Sequence, residues 1–140
     1  MCDVPLASSA EALLREASSL PEILDAGFAA FEAIRITARA CEDQVPGLLA
    51  AFMSTADAAV DGREALTVAP SLPRPSGRRP EHPSSADAGA GQAIDAVAQL
   101  ASVLRKRLAA AVGHADLPGD QAACRDAASA AARICRLMTR

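Results

Sequence analysis

Apolar side chains recur at steps of three and four through most of this chain, the spacing that places them on one face of an α-helix. The cleanest run spans about residues 90–112. There Ile94, Val97, Ala101, Leu104, Leu108 and Ala111 alternate the two steps and form a two-in-seven seam. Gly113 is expected to stop that helix, with the turn at ADLPGD (115–120). A last helix over about 119–138 carries Cys124, Ala127, Ala128, Ala131, Ile134, Cys135 and Met138 on one face, with Arg125, Ser129, Arg133, Arg136 and Arg140 opposite.

The first half repeats the pattern. Ser8 and Glu11 have capping-box spacing and predict a short helix over about 9–18. Ser19 and Glu22 repeat that spacing, and Pro21 falls in the first turn, where its missing N–H costs nothing. The helix they start is expected to run over about 21–42 on the stripe Leu24, Phe28, Phe31, Ile34, Ala38 and Cys41. EDQVPG (42–47) breaks it, and a further helix over about 47–66 carries Leu49, Phe52, Ala56, Ala59 and Leu66.

Residues 69–91 depart from this pattern. Pro, Ser and Gly dominate them, so they read as a flexible linker between two helical halves, with Arg74, Arg78 and Arg79 as exposed cleavage sites. The four long segments have similar lengths, each roughly 28–34 Å at the α-helical rise. Short loops inside each half predict two antiparallel hairpins, about 9–68 and 92–138. Together they predict a single all-α domain: a four-helix bundle with a short extra N-terminal helix. Its candidate core is Leu24, Phe28, Phe31, Ile34, Leu49, Phe52, Ile94, Val97, Leu104, Leu108, Ala131, Ile134 and Met138.

Composition narrows the picture. Ala fills 35 of the 140 positions, and Phe28, Phe31 and Phe52 are the only aromatic residues, so strand-formers are too scarce for an all-β fold. Ala allows close helix approach but contributes little burial, well below the roughly 2 kcal/mol of a fully buried Leu. Association with another chain is therefore expected to add apolar burial. Charge is uneven. Residues 1–68 hold 4 basic and 11 acidic side chains, while residues 92–140 hold 7 basic and 4 acidic ones. Nets of −7 and +3 favour docking one half on the other, mainly by orienting them.

Candidate chemistry is sparse. Di-metal bundles need a Glu-x-x-His pair in the core, whereas the two histidines, His82 and His114, fall in the linker and a turn, so no metal or cofactor is expected. Cys2, Cys41, Cys124 and Cys135 form no C-x-x-C pair and are expected to stay reduced. Cys124 and Cys135 lie too far apart along one helix to bond, and Cys41 is placed to meet one of them across the core. No phosphate loop or nucleophile motif is present, and no enzyme is expected. No apolar run reaches the length of a membrane span and no export signal leads the sequence, so a cytoplasmic location is expected, without membrane contact.

Two functional readings follow. The first is a non-enzymatic helical interaction module, a homodimer or a small adaptor or regulatory partner. The alternative is binding of an anionic ligand or nucleic acid through Arg105, Arg107, Arg125, Arg133, Arg136 and Arg140 with the linker arginines. The absence of interleaved aromatic residues there weighs against nucleic acid. A weaker third reading is an apolar pocket lined by Phe28, Phe31, Phe52 and Met53.

Overall fold

The computed structural model describes residues 4–73 and 89–139. These residues are all-helical and contain no strand. Five α-helices pack against one another: α1 (Val4–Glu16), α2 (Leu20–Cys41), α3 (Leu49–Thr67), α4 (Ala90–His114) and α5 (Pro118–Met138), with a 3-10 turn at Pro46–Leu48. α2 packs on α3, α4 on α5, α3 on α5, and α2 on α4, while α1 lies against α2 and α4. Among the described residues, no helix is long and apolar enough to cross a membrane.

The four long helices fall within a few residues of the expected limits, and the differences have local causes. α1 starts at Val4, not near residue 9, because Pro5 is tolerated in a first turn and the apolar row Leu6, Ala10, Leu14 and Ala17 extends back to it. Ser8 is therefore an exposed residue inside the helix. α2 starts as expected. The Glu22 backbone N–H donates to Ser19 Oγ at 3.3 Å, and Glu22 Oε2 accepts from the Ser18 N–H at 3.1 Å. α4 passes through Gly113 and ends at His114, where Ala115 turns the backbone extended.

Twelve of the thirteen expected core residues behave as predicted or nearly so. Leu24, Phe31, Ile34, Phe52, Val97, Leu104, Leu108, Ala131, Ile134 and Met138 are buried, Phe28 and Ile94 are half-buried against the core, and Leu49 is 41% exposed. At 100° per residue, Leu48 rather than Leu49 continues the row of Phe52 and Leu66. The buried arcs of α2 and α4 are wider than one stripe, since each touches three helices; Leu100 and Val103 on α4 are buried beside the seam. Close approach is densest where the Phe31 ring lies on Gly62 of α3.

The expected linker is shorter than residues 69–91. Ala69 is buried, Leu72 packs on the core, and Ser71 donates from its backbone N–H (3.0 Å) and its hydroxyl (2.5 Å) to the carboxylate of Asp120 at the start of α5. Ala90 and Gly91 are already helical. The linker arginines Arg74, Arg78 and Arg79, and His82, lie outside the described residues.

Charge contributes less to docking of the halves than apolar packing does. Arg133 pairs with Asp61 across α5 and α3 at 3.1 Å, with both side chains about half exposed, and such pairs are worth little. Arg15, Arg35, Arg39 and Arg63 of the acidic half pair with that half's own carboxylates. Burial raises the pKa of the Glu32 carboxyl, but hydrogen bonds and charge from Arg35 and Arg63 outweigh this and hold it below its ordinary value of 4.5. A lowered folded-state pKa gives stability that is present above the unfolded value and lost as pH falls through the folded one. Urea titrations between pH 6 and pH 3 are therefore expected to show a shallower loss of stability for Glu32→Gln than for the wild type. An unchanged slope would remove this group from the acid response.

Among the described residues, one buried side-chain polar atom lacks a partner: Thr55 Oγ1, on a fully buried side chain of α3. Replacing it with the isosteric Val removes an unmet desolvation cost. Thr55→Val is expected to raise unfolding stability by about 1 kcal/mol in chemical denaturation. A loss of stability would show that the hydroxyl is in fact satisfied.

Candidate functional site

Three regions carry the candidate chemistry. The first is the arginine set, which the structure does not keep together as one stripe. Arg107 is half-buried. Its Nε donates to the Leu14 carbonyl at 3.2 Å and a terminal nitrogen donates to the Ala17 carbonyl, so it satisfies carbonyls left open at the end of α1. It is therefore engaged by the chain's own backbone at that end. Arg133 is engaged by Asp61. Arg105, Arg125 and Arg136 are exposed, and Arg140 lies outside the described residues.

The second region is the cysteines. Cys124 is buried and Cys135 half-buried, and both are free thiols. Burial pushes the Cys124 thiol up, and the Asp120 charge adds to this. Burial also raises the Cys135 pKa, against the opposing pull of Arg105 and Arg136. Arg105 on α4 and Arg136 on α5 are both exposed. Neither cysteine is set up as a thiolate nucleophile. Cys41 is fully buried and disulfide-bonded, while Cys124 and Cys135 are free. This replaces the expectation of four reduced thiols and of a Cys41 meeting Cys124 or Cys135.

The third region is a cleft of about 320 Å³ at one end of the helix assembly. Leu48, Ala51 and Phe52 come from the start of α3 and its preceding turn, Ile94 and Asp95 from the start of α4, and Leu137 and Met138 from the end of α5. Phe52 and Met138 are nearly buried, while Leu48, Ile94 and Leu137 are half-exposed walls. Leu49 and Met53 stand exposed on the same two turns of α3. Of the residues named for an apolar pocket, Phe52 alone lines the cleft; Phe31 is sealed against Gly62. The periodicity pointed to Phe52 but not to Leu48, Ile94 or Leu137 as neighbours, because three helix ends meet there that are far apart in sequence.

Among the described residues, no group of three or more His, Cys, Asp and Glu side chains is placed to hold a metal ion. Comparisons with protein-family models, curated proteins and solved structures find no match to this chain.

Proposed function

We propose that this chain is a non-enzymatic helical interaction module that pairs with a second copy of itself. The observation that carries the reading is the apolar end of the assembly. Leu49 and Met53 are 41% and 45% exposed on the same turns of α3 as Leu48 and Phe52, which line the cleft with the half-exposed Ile94 and Leu137. Single exposed apolar residues are ordinary, whereas a group gathered at one place is a feature of interaction surfaces. The many small buried side chains add support, since each Ala contributes little apolar burial of its own.

The architecture that goes with this reading is a four-helix bundle of two antiparallel hairpins, α2–α3 and α4–α5, with α1 as an added helix. Its support is the ring of neighbours α2, α3, α5 and α4. Polar links that run in opposite directions along α3 and α5 add support: Ser71 meets Asp120 early in α5, and Asp61, further back along the chain, meets Arg133 further on.

Sedimentation equilibrium tests the function. The wild type is expected to sediment as a dimer at micromolar concentration, and Leu49→Glu with Met53→Glu as a monomer of unchanged helicity. A monomeric wild type rejects self-association.

A second reading draws on the arginines around Cys135: an anion-binding face formed by Arg105 and Arg136, with Arg125 exposed on the same helix as Arg136. Its signature is affinity for a polyanion that falls steeply with salt and is lost in Arg105→Glu with Arg136→Glu.

A further inference from the structure

Cys41, the last residue of α2, is fully buried and disulfide-bonded. The chain has four cysteines, and Cys124 and Cys135 are free. Elimination leaves Cys2, which lies outside the described residues. Reach agrees with this. A three-residue connection joins α1 to α2 and the two helices pack on one another, so α1 folds back along α2 and its start faces the Cys41 end. α2 has 22 residues and α1 has 13, so α2 runs further by roughly 13 Å at the α-helical rise. The two peptide units from Val4 back to Cys2 reach up to roughly 7 Å. The Cα atoms of bonded cysteines sit roughly 5.5 Å apart, and the two lengths together close the gap.

α1 is otherwise held by packing and by one cation. Leu6, Ala7, Ala10 and Leu14 are buried, and Arg107 of α4 donates to the Leu14 and Ala17 carbonyls at the far end of the helix. We infer that a disulfide between Cys2 and Cys41 latches the start of α1 onto α2, and that a dithiol reductant releases it. The exchange balances: the dithiol gives up two electrons and two protons, the S–S bond breaks, Cys2 and Cys41 become thiols, and the dithiol closes to its own disulfide. The bond closes a loop over residues 2–41, so α1 gains most from it, while α3, α4 and α5 lie outside that loop. Arg107 keeps its hold on the other end of α1 after reduction. Opening therefore begins at the start of α1 and uncovers the row of Leu6 and Ala10.

The test uses the full chain, equilibrated with a small-molecule disulfide, alkylated with N-ethylmaleimide in denaturant and digested with trypsin without reductant. Residues 1–15 and 40–63 are expected as one linked species that dithiothreitol splits, from a chain that runs as a single copy on a non-reducing gel. Cys124 and Cys135 are expected to be alkylated. In amide exchange, dithiothreitol is expected to speed the amides of α1 about tenfold, while the slowest amides of α3 and α5 change by less than about twofold. Cys2→Ser keeps Cys41 in place and is expected to exchange like the reduced wild type, with or without dithiothreitol.

An alkylated Cys41, or a Cys41 peptide linked to any peptide but residues 1–15 of the same chain, overturns the pairing. Unchanged exchange in α1 on reduction overturns the latch. So does equal acceleration of all five helices, which would make the bond a staple of the whole fold. A response to dithiothreitol that survives in Cys2→Ser overturns both.

Discussion

Gly62→Ala is expected to be the most damaging glycine-to-alanine change among the described residues. A Cβ at position 62 would overlap Cε1 and Cζ of Phe31 and reach Cδ1 at 2.7 Å. The ring is fully buried on α2, so either the ring or the α2–α3 spacing must shift. Overpacking of this kind costs about 3 kcal/mol. The better helix propensity of Ala returns about 1 kcal/mol, which leaves a net loss of about 2 kcal/mol. Gly113→Ala is the control. It lies in the last turn of α4 with nothing within 4 Å of the added carbon, and is expected to gain up to about 1 kcal/mol. Urea denaturation of both variants gives the comparison. Placing Gly62→Ala on a Phe31→Leu background is expected to recover part of the loss relative to Phe31→Leu alone. If Gly62→Ala matches the wild type, Phe31 does not sit on Gly62 and the α2–α3 contact is misplaced.

Asp120→Ala is expected to cost about 2 kcal/mol, the usual scale for removing a charged hydrogen-bond acceptor from partly buried donors. Its side chain is 1% exposed and accepts both the backbone N–H and the hydroxyl of Ser71, which tie the end of the α3 segment to the start of α5. Its place in the first turn of α5 also sets a negative group against the positive end of that helix. Asp120→Asn keeps one oxygen acceptor and is expected to lose roughly half as much. Thermal denaturation with circular dichroism measures both. Equal stability of Asp120→Ala and the wild type would mean that Ser71 is not anchored there.

These two sites show what the sequence left unread. The apolar periodicity of α2, α4 and α5 marked those helices to within a few residues, because apolar positions at steps of three and four run the length of each, although the arcs α2 and α4 bury are wider than one stripe. The Ser19–Glu22 spacing marked a true helix start. The same spacing at Ser8 and Glu11 did not, since Pro5 allowed the helix to begin earlier and Leu6 rewarded it with full burial. Leu49 was misplaced by one residue of phase, which the turn at Pro46–Leu48 sets. Arg107 looked like a surface cation. Its function as a cap depends on α1 lying beside α4, a contact 90 residues apart in sequence. Ser71 and Asp120 are 49 residues apart and carry no local signal of their partnership. The cleft was legible only through Phe52, since its walls come from three chain segments that no periodicity relates.

The central claim is that the acidic first half and the basic second half share one core and fold as one unit. Amide hydrogen exchange of the full chain across a low-denaturant series tests this most directly. The slowest amides of α2 and α3 and those of α4 and α5 are predicted to converge on a single opening free energy with the same denaturant dependence. Opening of α4 and α5 at a markedly lower free energy than α2 and α3, with a smaller dependence on denaturant, would show two independent hairpins and contradict the account.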